Sequence, residues 1–201
     1  MSAALGRSRH SWRAAEARLY PLAMTDVDGY QRALVLVAAV CAQLREHTTT
    51  AGDLLACQEH AAEYVAAAGE STGASTRGLD PDDIFGSAAA LRDRELAGEE
   101  QRVTRLEAVD GARLAGSAWA DLHAEDLGPR VPRLRIHVAT GWTIMTELSG
   151  DPATGAPRLL VTTAQVDLTT GELSEARGAV TTVATVEEWE KVTTALQAQG
   201  P

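Results

Sequence analysis

Cys41, His47, Cys57 and His60 are the residues of this chain best suited to hold a metal. Two thiolates and two imidazoles suit tetrahedral zinc. Cys57 and His60 are three apart, on one face of a helix. Cys41 and Cys57 are each eight residues from Thr49, so a helical hairpin turning near Thr49 brings the two cysteines together. His47 lies six residues beyond Cys41, on the far side of a continuous helix, and joins only if that helix frays. The metal candidates are therefore Cys41, Cys57 and His60, set against the commoner use of buried cysteine as a small apolar filler. No cofactor is expected. Cys57 with His60 also reads as a nucleophile and base, but Glu59 and Glu63 beside the thiol oppose the thiolate such chemistry needs.

A second group lies further along. Arg133, Arg135 and His137 alternate with Leu134, Ile136 and Val138, which puts the basic side chains in a row on one face of a strand. Such a row receives a phosphate, a carboxylate or an acidic peptide, or pairs with acids on the neighbouring strand. Trp142, after Gly141, belongs to the same candidate surface, since tryptophan is enriched where proteins bind. With Glu147 added, Arg135 and His137 form a small-molecule site if all three share a face. The acid pairs Glu99-Glu100 and Glu125-Asp126 read as solvated. Asp151–Gly155 and Asp167–Gly171 both follow D-x-x-T-G. Asp bonding the backbone and Gly at positive φ make these hairpin turns, and neither has the spacing of a calcium loop. A glycine-rich phosphate loop, G-x-S-x-G, H-E-x-x-H and C-x-x-C are all missing.

The element that organises the rest is Asp26–Glu46. It holds the longest apolar run, Ala33–Ala42. Tyr30, Leu34, Val37, Cys41 and Leu44 recur at helical spacing, and Leu36 and Val40 widen the face. Thr25 with Asp28 reads as its capping signal, and Thr50 with Asp53 as that of the next helix, Ala51–Ala68, facing inward through Leu54, Ala61 and Val65. A loop of about three residues makes the two antiparallel. Before them, residues 1–9 are expected to be disordered, and Trp12–Leu19 forms a short helix that Pro21 ends. The arginines of this amino-terminal segment (Arg7, Arg9, Arg13, Arg18) fold back on an acidic body or dock an acidic partner.

Residues 69–79 are a glycine-rich loop. Asp80-Pro81-Asp82-Asp83 starts a helix in the best-defined way, with an N-cap, proline at the first turn and acids at the positive end. That helix reaches Ala97, Gly98 interrupts it, and Glu99–Val109 is helical again. From Ala118 the pattern turns to strands: Ala118–Ala124, Arg133–Leu148 with a turn or bulge at Thr140-Gly141, Arg158–Leu168 and Leu173–Ala184. Thr185 and Glu188 form a capping box that opens a last helix to Gln197, covering the sheet with Val186, Trp189, Thr193 and Leu196. The fold class is α+β: a helical part over 1–117, then an antiparallel meander with a closing helix over 118–201, with packing as one domain left open.

Composition bounds the function. The chain has 201 residues and a net charge of −10, which disfavours nucleic acid as a partner. Its basic residues are 17 Arg and one Lys, Lys191, a bias that points to a GC-rich bacterial genome. Two cysteines make no disulfide framework, and the amino end lacks the apolar segment of a secretory signal, so a reducing cytoplasm is expected. No segment reads as a membrane span. The reading that follows is a non-enzymatic protein-interaction module: an adaptor, accessory subunit or immunity-type partner that binds another protein through a charged face. A small-molecule site near Trp142 and a zinc-stapled hairpin are the alternatives. The Val35–Val40 stretch can pair with its own copy, so a homodimer is also expected.

Overall fold

The computed structural model describes residues 2–174 and 180–199, with side chains over 11–174 and 180–198. The fold is α+β. Five helices precede an antiparallel five-stranded sheet, and a helix closes the chain. By its contacts the chain divides into two units, Met1–Glu99 and Glu100–Pro201. The division falls inside a helix, whereas the change in sequence pattern comes near Ala118.

The first unit is helical. α1 spans Ser2–Thr25, α2 Val27–His47, α3 Ala51–Cys57, α4 Ala61–Thr72, and α5, Pro81–Leu114, begins in it. The expected disorder at residues 1–9 and the stop at Pro21 are both corrected by α1, which runs from Ser2 through Pro21. An internal proline costs a helix about 3 kcal/mol. Packing offsets it here: Trp12, Ala15 and Leu19 are buried on one side, and Leu22 beyond the proline also packs on the core. The start of α2 is also corrected. Asp26, not Thr25, is the N-cap, and its Oδ1 accepts the Gly29 N–H at 2.8 Å. The buried face of α2 is Ala33, Leu36, Val40, Cys41 and Leu44.

The Thr50–Asp53 capping box forms as read. A single 3-10 turn, Gln58–His60, divides the expected second helix into α3 and α4. Leu54, Ala61 and Val65 are buried. Arg92 of α5 is buried and clamps the end of α2. Its Nη2 donates to the Thr48 carbonyl at 2.8 Å and its Nε to Thr48 Oγ1 at 3.3 Å. Asp80 caps α5 through Asp82 N–H at 3.0 Å.

Gly98 does not interrupt α5, which is continuous over 34 residues. The helix stops at Gly116, φ +70°. The Ser117 N–H bonds the Ala112 carbonyl and the Gly116 N–H that of Arg113, the paired bonds of a Schellman termination.

The second unit is a meander: β1 Trp119–His123, β2 Pro132–His137, β3 Trp142–Gly150, β4 Pro157–Gln165 and β5 Thr181–Val183, paired in that order. The expected strand from Leu173 is reduced to a bridge between Leu173 and Val166 and to β5; residues 175–179 lie outside the described residues. Alternation divides the sheet into two apolar faces. Ala120, Leu134, Ile136 and Met145 pack with Val109 and Ala112 from the end of α5. Ile144, Val161 and Val183 pack with Trp189, Val192 and Leu196 of α6, Val186–Gln199. The closing helix therefore covers one face as expected, and the end of α5 covers the other.

Three connections of the sheet are one turn repeated. In Asp151–Gly155 and Asp167–Gly171 the aspartate Oδ1 accepts the backbone N–H groups two and three residues on, at 2.9 and 3.0 Å and at 2.7 and 3.1 Å. The glycine N–H returns to the aspartate carbonyl in each, at positive φ. These bonds hold both carboxyls below the usual aspartate range, the backbone donors being the main cause. His137–Gly141 has the same shape, with Gly141 N–H bonded to the His137 carbonyl at 2.8 Å. There His137 Nδ1 meets Thr140 Oγ1 at 2.9 Å.

Candidate functional site

The basic row of β2 comes out as drawn: Arg133, Arg135 and His137 share one face. The adjacent strand meets it. Asp121 of β1 sits opposite Arg135 and grips it with two bonds of 2.7 Å, to Nε and Nη2. The guanidinium also lies over the Trp189 ring, 5.6 Å from its centroid. That hydrogen-bonded pair is the main reason the Arg135 pKa is raised. Arg133 meets Asp126 at 3.3 Å. His137 lies edge-on to Trp119 at 4.9 Å, and Trp119 to Trp142 at 6.0 Å. Each candidate here thus has a partner within the chain. Trp119 and Asp121 are the ones that sequence reasoning missed, and cross-strand register is the signal that finds them.

Glu147 does not join this face. Register pairs Arg135 with Ile144 and Leu134 with Met145, so odd-numbered residues of β3 point to the opposite side. The proposed convergence of Arg135, His137 and Glu147 is removed by that alternation.

The cysteines have different surroundings, and both are free. Cys41 belongs to the buried core of the helical unit, where burial, then Glu95, pushes its pKa up. Cys57 lines an open cleft of about 580 Å³ with Gln43, His47, His60, Glu63 and Tyr64. Among the described residues no three His, Cys, Asp or Glu side chains converge as a metal requires. Cys57 and His60 do line the same cleft, since the 3-10 turn between them keeps residues three apart on one side, but Cys41 is held in the core apart from them.

In the cleft the Tyr64 hydroxyl donates to Cys57 Sγ at 3.4 Å. That bond, with burial, pushes the phenol up to about 12, so it stays protonated at neutral pH. His60 Nδ1 meets Glu63 at 3.3 Å. A nucleophile needs a base within hydrogen-bond reach. The sulfur's hydrogen bond comes instead from a protonated phenol.

The outer side of α2 differs from all of these. At 100° per residue, the direction opposite Leu36 and Val40 is occupied by Gln31, Val35, Ala38 and Ala42, all exposed. Leu34 and Val35 are each 47% exposed and Val27 is 56% exposed. Tyr20 and Met24 of α1 add exposed apolar surface in the same unit. The sequence placed Leu34 on the inward face; the core instead takes the Ala33–Leu36–Val40 stripe. A run apolar all round the helix hides which side is covered.

Comparisons with known proteins return no matching family, no similar curated protein and no similar solved structure. No helix among the described residues is long and apolar enough to cross a membrane.

Proposed function

We propose that this chain is a non-enzymatic protein-interaction module, an adaptor, accessory subunit or immunity-type partner, whose docking face is the outer side of α2. The observation that carries the reading is the exposed apolar stripe Val27, Leu34, Val35, Ala38 and Ala42 on the helix that holds the longest apolar run of the chain. Exposed apolar surface gathered on one element marks sites of association. The occupant is an apolar helical face of another polypeptide, because a straight stripe about 25 Å long with small residues at Ala38 and Ala42 admits a second helix closely. The charged face first read from the sequence is engaged internally, so docking here rests on burial of the apolar stripe. A bacterial cytoplasm belongs to the same reading, on the arginine bias and the two free thiols.

Native mass spectrometry of the protein from its own cells or a close host tests it. A stoichiometric polypeptide bound to the wild type and lost in both Val35→Glu and Ala38→Glu, with unchanged circular dichroism, is the expected result. A bound polypeptide indifferent to both substitutions overturns the choice of face. A retained small organic molecule, lost on Tyr64→Ala, moves the function to the Cys57 cleft.

A further inference from the structure

The outer face of α2 carries its own complement. Read from the N-terminus, its exposed positions run Asp28, Gln31, Val35, Ala38, Ala42, Arg45, in alternating steps of three and four residues. That is the spacing of a two-helix seam. Its middle is apolar, its N-terminal end acidic and its C-terminal end basic. Asp28 makes no ion pair among the described residues. Arg45 is 53% exposed, and Glu95 takes its Nε and Nη2, which leaves Nη1 for a further acceptor.

Two copies can be laid together along this seam in two directions. Parallel pairing sets Asp28 on Asp28, Arg45 on Arg45 and the two helix dipoles side by side. Antiparallel pairing sets Asp28 against the second copy's Arg45, Gln31 against its Ala42 and Val35 against its Ala38, each layer repeated by the two-fold axis. The end layers then join opposite charges, and the dipoles oppose. Each central layer sets a branched side chain against alanine, the large-to-small fit that lets helices interdigitate. The same patch meets itself, as a two-fold interface requires.

We infer that the occupant of this face is a second copy of the chain, bound through an antiparallel pairing of α2 with α2 in which Asp28 meets Arg45. The inference rests on the docking face proposed above and adds its partner and register. Net charge of −10 on each copy opposes association, so the dimer tightens with added salt up to the point where the Asp28–Arg45 layers are screened.

The test uses the full chain with Cys57→Ser to remove the accessible thiol. Gln31→Cys and Ala42→Cys are made separately, both at exposed positions. Under mild oxidation the antiparallel register gives a disulfide only when the two variants are mixed. Disulfides in each variant alone, and none favoured in the mixture, show parallel pairing and overturn the register. Sedimentation from micromolar to near-millimolar protein gives the dimer itself, which Val35→Glu and Ala38→Glu each weaken about tenfold or more. A monomer throughout overturns self-association. In that case a different polypeptide released by Val35→Glu keeps the docking face, whereas one indifferent to Val35→Glu removes that reading as well.

Discussion

The basic row of β2 and the outer stripe of α2 exchange the roles their compositions suggest. Arg133, Arg135 and His137 have the chemistry of a binding surface, yet Asp126, Asp121 and Trp119 already occupy them. Leu34, Val35 and Ala38 have the chemistry of a core, yet they face outward. The difference lies in what covers each. A sheet brings charges of neighbouring strands within hydrogen-bond reach, so a row of one sign is met by the row opposite. A helix has a whole circumference to cover, and the core beside α2 takes only one side. Substitutions on the first surface should therefore cost stability, and those on the second should cost association.

The largest loss is expected at Trp189, which joins the basic row to the core of the second unit. It is 3% exposed, packs with Ile144, Val161 and Val183, donates to Thr146 Oγ1 at 2.9 Å and lies under Arg135. Trp189→Ala should cost about 3–5 kcal/mol in denaturant titration. Trp189→Phe keeps most of the packing but strands the buried Thr146 hydroxyl, for a loss of about 1–3 kcal/mol. An unchanged stability in Trp189→Phe would mean that the indole N–H contributes nothing, and that the sheet face is held by packing alone.

The repeated turns sharpen the contrast within the same unit. Gly141 and Gly155 occupy the same place in two copies, at φ +74° and +68°. A Cβ at Gly155 meets open space, whereas one at Gly141 would overlap the Val166 carbonyl oxygen. Gly155→Ala should cost only the left-handed strain, about 1–2 kcal/mol. Gly141→Ala should cost roughly 1–3 kcal/mol more, because Val166 N–H also bonds the Gly141 carbonyl and cannot move away freely. Thermal unfolding of the two variants side by side checks the order.

Arg135→Ala should come next, at about 1–2 kcal/mol, since the pair with Asp121 is only partly shielded, with side-chain exposures of 24% and 32%. The double-mutant cycle with Asp121→Ala isolates the pair from the contact with Trp189. A coupling near zero would make the row a solvated surface, open again to an acidic ligand.

Local chemistry was legible. The caps at Thr50 and Asp80, the D-x-x-T-G turns and the alternation of β2 and β3 each depend on a few adjacent residues, and each formed. What the sequence hid depended on partners far away in the chain. Pro21 reads as a helix stop until the packing of Trp12, Leu19 and Leu22 is known. Gly98 reads as a break, but an uninterrupted ladder of backbone bonds outweighs a cost of about 1 kcal/mol. The turn at Thr140-Gly141 was read, but its likeness to the other two was veiled because His137 stands where they have aspartate. The open side of α2 was the least legible, since a run from Ala33 to Ala42 gives no polar residue to mark it.

The smallest effect on stability is expected where the effect on association is largest. Val35 and Leu36 are neighbours in sequence on nearly opposite sides of α2, at 47% and 0% exposure. Val35→Ser removes little buried area, and serine and valine differ little in helix propensity, so at low protein concentration the variant should unfold within about 0.5 kcal/mol of the wild type. An associating chain gains stability with concentration by mass action. The wild-type melting temperature should therefore rise with concentration while that of Val35→Ser rises less. Parallel lines at both concentrations would mean that nothing binds this face in the isolated protein. A large loss at low concentration would mean that it is a covered surface, and the contrast with β2 would fail at its open end.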